Sequence, residues 1–170
     1  ETSIKKIFRK NDILFRPSTC FECKYDIILG SVNSYTSLRY ELNCRNFFMV
    51  IDGEIDIMLT IPNNKKYLNI INYYNNFEFR SSNNPFIIKD YDSEKVKYLS
   101  LTLVKGNILY IPFGWMYSIK IKQKNTVVAS FKYKMLMNIV AILPELCYKY
   151  LQNDNIKYIF LEKKVIQIMI

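Results

Sequence analysis

The chain has 170 residues, half of them hydrophobic, which is enough for one packed domain and leaves little for a second. Its net charge of +9 permits attraction to nucleic acid, acidic proteins or anionic surfaces, and the complete lack of His excludes Ser-His-Asp and Cys-His catalysis. There is no run of 18 or more apolar residues and no apolar leader core at the N-terminus. The expectation is a chain with no membrane span, not secreted, and cytoplasmic, nuclear or virion-associated.

Alternating patterns dominate from residue 12 to residue 133. Short strands are predicted at 12–16 and 25–29, closed by Pro17 and Gly30. Residues 38–42 alternate, and 47–51 form a continuous apolar strand. Asp52-Gly53 reads as a tight hairpin turn into a return strand over 54–61, which stops at Pro62. Residues 63–95 are rich in Asn, Tyr and Ser, with weak periodicity. They are expected to form an insertion on the rim, with a short helix near 67–74.

Strands resume at 96–104, 108–111, 115–122 and 126–133, with turns at Lys105-Gly106-Asn107 and Gln123-Lys124-Asn125. After Lys134 the period becomes helical, through Leu136, Ile139, Val140, Leu143, Leu146 and Leu151. Pro144 is expected to kink or split that helix. The apolar, basic tail over 156–170 reads equally as a helix or a strand. About eight strands and a helical C-terminus predict one mostly β domain over 1–170, a barrel or jelly roll. Its barrel core spans about 35–133 and its C-terminal helical segment about 134–170.

Lys5, Lys6, Lys65, Lys66, Lys120, Lys122, Lys124, Lys163 and Lys164 lie on different segments, the pattern of a solvated surface. Ile, Lys, Asn, Tyr, Phe and Met share AT-rich codons, so the bias toward them reflects a genome such as that of a large DNA virus or a parasite. Cys20-Phe21-Glu22-Cys23 has the spacing of half a zinc knuckle or a redox pair. Cys44 and Cys147 stand too far apart to complete a zinc site, so free thiols are expected.

Two segments carry a more specific pattern. One is Asn46-Phe47-Phe48-Met49-Val50-Ile51-Asp52-Gly53-Glu54-Ile55, running into Leu59-Thr60-Ile61-Pro62. The other is Lys105-Gly106-Asn107-Ile108-Leu109-Tyr110-Ile111-Pro112-Phe113-Gly114-Trp115-Met116-Tyr117. Together with Val127-Val128-Ala129-Ser130-Phe131 they resemble the Jumonji-C and asparaginyl-hydroxylase family of cupin-type oxygenases. The resemblance covers about residues 35–133 and implies a cupin-like double-stranded β-helix.

Members of that family hold iron(II) with two His and one carboxylate, and bind 2-oxoglutarate beside it. Counting back from Asn46, the resemblance puts Tyr40 at the first His and Leu42 at the acid. It puts Tyr117 at the second His and Ile55 at the lysine that grips 2-oxoglutarate. All four positions have changed, and alternation turns Glu41 to the face opposite Tyr40. Ser37 and Asn46 fall where the family has polar pocket residues. The chain is therefore expected to be no enzyme, to take no metal, cofactor or small-molecule substrate, and to fill the former cavity with Tyr40, Leu42, Ile55 and Tyr117.

Asp90, Asp92 and Glu94 lack the pattern of an EF-hand and read as a solvated loop. Two function classes remain. The first is a pseudoenzyme acting as a protein-interaction or structural module, with a protein partner or a second copy on the Tyr-rich insertion and the C-terminal helices. The second is a nucleic-acid-binding module, using the basic surface and Tyr73, Tyr74, Phe77 and Phe79 beside Arg80.

Overall fold

The computed structural model describes residues 3–74, 77–87 and 96–168. The chain opens with helix α1 (Ser3–Phe15), which takes residues 12–15 from the expected strand. Phe8 and Phe15, seven apart, share one helical face and both lie against Phe131, with ring centroids 5.0 and 5.2 Å away. Ile13 and Leu14, whose apolar run suggested a strand, point to solvent at 81% and 74% exposure. An Asp12–Arg16 ion pair of 2.7 Å continues the helical spacing as far as Pro17.

Among the described residues ten strands follow: β1 (Cys20–Leu29), β2 (Arg39–Glu41), β3 (Arg45–Asp52), β4 (Glu54–Thr60), β5 (Ile70–Tyr73), β6 (Glu78–Ser81), β7 (Leu99–Val104), β8 (Ile108–Pro112), β9 (Met116–Ile121) and β10 (Val127–Met135). They form two antiparallel sheets, ordered β1-β10-β3-β8 and β5-β6-β2-β9-β4-β7. Leaving out β5 and β6, consecutive strands from β1 to β4 and from β7 to β10 alternate between the sheets. That winding is a jelly roll, the double-stranded β-helix expected from the sequence.

Asp52-Gly53 is consequently not a hairpin turn. β3 and β4 lie in different sheets, so Gly53 at φ +80° makes a corner that carries the chain from one sheet to the other. Gly106 at φ +88° does the same between β7 and β8. The insertion also departs from expectation. It begins with a 3-10 helix over Pro62–Tyr67, and no helix forms over the described part of 67–74 beyond its last residue. Instead β5 and β6 make a hairpin that extends the second sheet alongside β2.

The C-terminus splits where expected. α2 (Leu136–Ala141) and α3 (Leu143–Ile168) part at Ile142, because Pro144 has no N–H and its ring would press on the preceding turn. α1 covers the outer face of the first sheet, over Ala129, Phe131 and Tyr133. The insertion and the α2–α3 junction cover the outer face of the second, over Leu38, Tyr40 and Leu42. Between the sheets one half of the interior is apolar, built on Phe48, Val50, Ile55, Ile57, Ile119 and Val128. The other half is polar and charged.

Candidate functional site

The polar half is set by which residues of β2 face inward. Tyr40 sits opposite Phe79 of β6 and stacks on it, with centroids 4.7 Å apart, on the outer face. Arg39 and Glu41 therefore point between the sheets, and Arg39 pairs in register with Tyr117 of β9. This corrects the expected filled cavity. Ile55 and Tyr117 meet in the inter-sheet core, whereas Tyr40 and Leu42 pack outside it against Phe79 and Ile142. Over Tyr40 lies the Lys65 ammonium, 3.3 Å from the ring centre, and burial lowers that lysine to about 8.

Glu41 is the centre of the inner cluster. Tyr117 donates its hydroxyl to Glu41 Oε1 at 2.7 Å, and Asn43 donates to Oε2 at 2.8 Å. The Lys132 ammonium of β10 lies 2.9 Å from Glu41 Oε1 and 2.9 Å from Asp26. Further along β10, Lys134 pairs with Glu22 at 2.7 Å, and Lys24 reaches the same carboxylate at 3.2 Å. These groups, Tyr117 apart, line a cleft of about 420 Å³, whose wall is completed by Leu42, Phe77, Glu78 and Lys149. Its four lysines and four carboxylates balance. Asn46 Oδ1 and Ser130 Oγ, on the same inner face, are buried without a hydrogen-bond partner.

The inner triplet Arg39, Glu41 and Tyr117 does not suit a two-His-one-carboxylate metal. Arg39 is permanently cationic and has no lone pair to offer. Burial first, and then the Glu41 charge, hold the Tyr117 phenol well above 10, so it stays protonated. Glu41 keeps a carboxylate of the right kind, but the Lys132 ammonium already neutralises it. Among the described residues no group of three His, Cys, Asp or Glu side chains is placed to hold a metal ion.

The same contacts set an alkaline limit. Burial alone would lower Lys132, but the Glu41 charge and hydrogen bonds to Glu41 and Asp26 raise it above the ordinary 10.5. Lys132 and Tyr117 thus both hold their protons more tightly folded than unfolded. Their contribution is complete below about pH 10 and is lost as pH rises further. Urea midpoints should fall above pH 10, and the phenolate absorbance lost in Tyr117→Phe should appear only with unfolding. Phenolate formation at Tyr117 near pH 10 in the folded chain would contradict this geometry.

Of the insertion's aromatics, Tyr74, Phe77 and Phe79 pack against the fold, while Tyr67 is 42% exposed. Tyr74 meets Phe79 edge-on at 5.7 Å and Tyr148 of α3 at 5.5 Å, while Phe77 lies 4.4 Å from the Lys149 ammonium. Arg80 is paired with Glu78, and Lys122 with Glu54 at 2.7 Å. Asp90, Asp92 and Glu94 lie outside the described residues. Sequence reasoning missed Arg39, Lys132 and Lys134, and placed Glu41 on the wrong face.

No family model and no curated protein matches the chain. Among solved structures it is similar to a hydroquinone 1,2-dioxygenase from Sphingomonas sp. TTNP3. The identity is 14% and the TM-score 0.40, over 65% of this chain and 57% of that one. An oxalate oxidase matches at 12% identity and a TM-score of 0.42, over 66% of this chain and 42% of that one. The chain thus spans about half the length of each.

Proposed function

We propose that this chain is a protein-interaction or structural module on a jelly-roll scaffold, not an oxygenase, and that its partner is a second copy docking through α2 and the start of α3. The observation that carries the reading is the apolar face there. Leu136, Met137, Val140, Leu143 and Leu151 are all more than half exposed, and an apolar patch of that kind is the usual mark of a protein contact. The resemblance to asparaginyl hydroxylases supports a copy of the chain as occupant, since in that family helices beyond the barrel form a dimer interface. The rejection of oxygenase chemistry rests on residue types: the inner positions are Arg39, Glu41 and Tyr117, and the chain has no His.

Sedimentation equilibrium should give twice the 20.3 kDa chain mass, little changed by moderate salt. Met137→Asp with Val140→Asp should return the single-chain mass with unchanged circular dichroism, because both side chains are 75% exposed. A monomeric wild type over the whole concentration range would overturn the dimer. Calorimetric titration with iron(II), manganese(II) and 2-oxoglutarate should give no heat. One metal per chain together with 2-oxoglutarate binding would overturn the non-oxygenase reading.

A further inference from the structure

Cys20 and Cys23 are three residues apart on one strand, and regular alternation would send them to opposite faces. The β1–β10 register prevents this. Cys20 pairs with Met135 and Glu22 with Lys134, so β1 advances two residues where β10 advances one. This bulge at Phe21 turns Cys20 onto the same outer face as Cys23. Their sulfurs lie 3.4 Å apart, in contact. Both pack with Phe8 and Phe15 of α1 against the cluster of Phe131 and Tyr133, half-buried rather than sealed.

We propose that Cys20 and Cys23 are a peroxide-responsive dithiol that closes to a reversible intramolecular disulfide. A hydroperoxide oxidises one sulfur to sulfenic acid, and one peroxide oxygen leaves as water or alcohol. The neighbouring thiol then attacks that sulfur, the S–S bond forms, the S–O bond breaks, and water leaves with the second thiol's proton. Two thiols are oxidised and one peroxide is reduced. Small external thiols reverse the bond by exchange. Burial first, and then the Cys23 sulfur, push the Cys20 thiol up to about 11, so oxidation is slow at neutral pH and accelerates as pH rises. A metal site needs further ligands, and among the described residues none is grouped with this pair.

The full chain should be treated with hydrogen peroxide, denatured, alkylated and weighed. The expected result is two alkyl groups per chain where the untreated chain, with its 4 Cys, takes up four, with Cys20 and Cys23 both protected from alkylation and linked in the mapped peptide. Dithiothreitol should reverse it. Cys20→Ser and Cys23→Ser, near-isosteric and checked for unchanged circular dichroism, should each abolish the link. Cys44→Ser and Cys147→Ser should keep it. The proposal fails if both sulfurs stay alkylatable, go on to sulfinic acids without linking, or link only between chains. It fails equally if stoichiometric zinc shields them.

Discussion

Replacing Glu41 with Ala is expected to cost about 3 kcal/mol or more of folding stability, since breaking a buried ion pair leaves a charge uncompensated. Lys132, whose side chain is 12% exposed, would be left with the more exposed Asp26 as its ion-pair partner. The fully buried Tyr117 hydroxyl would lose the acceptor at 2.7 Å, and Asn43 its partner too. Each orphaned buried donor adds about 1–3 kcal/mol. Lys132→Met removes the opposite charge with little change in length. If the two groups act as a unit, the double variant is more stable than the sum of the singles implies, by about 0.5–3 kcal/mol. Urea unfolding of the four proteins measures this. Strict additivity would mean that Glu41 and Lys132 do not meet in solution, and the inner face assigned to β2 would be wrong.

The strands were legible because the apolar runs at 47–51, 54–61 and 126–133 lack helical period and are bounded by Gly, Pro and Asn. The facing of β2 was not. Alternation separates inside from outside only where one face meets water. Here the outer face of β2 is roofed by Lys65 over Tyr40 and by Ile142, with Phe79 of β6 alongside, so Tyr40 and Leu42 are apolar without lining the barrel. The inward positions are the polar ones, Arg39 and Glu41. Lys132, far away in sequence on β10, neutralises Glu41, and Arg39 is offset by Glu41 and Glu78. A similar ambiguity affected residues 12–16. Three consecutive apolar residues suit a strand, and only the contact of Phe8 and Phe15 with Phe131 reveals a helix with two of them left outside. Asp52-Gly53 signalled a chain reversal of the right tightness, but local sequence does not say whether the next strand pairs with the last or crosses to the other sheet.

That crossing can be tested through glycine, of which the chain has only 4, three of them at positive φ. A Cβ at Gly53 would lie 2.2 Å from Thr126 Oγ1 and 2.8 Å from Thr126 Cα. Thr126 is 1% exposed, and its hydroxyl donates to the Gln123 carbonyl at 2.7 Å, so the β3–β4 and β9–β10 corners lock together here. At Gly106 a Cβ would meet nothing within 4 Å. Gly106→Ala is therefore expected to cost only the left-handed backbone strain, about 1–2 kcal/mol. Gly53→Ala adds a displaced corner to the same strain and should cost about 3 kcal/mol or more. Adding Thr126→Ala should recover only part of the loss, because the close contact at 2.8 Å is with backbone. Equal losses at the two glycines, read from urea midpoints, would mean that the corners stand apart and that Gly53 turns an ordinary hairpin after all.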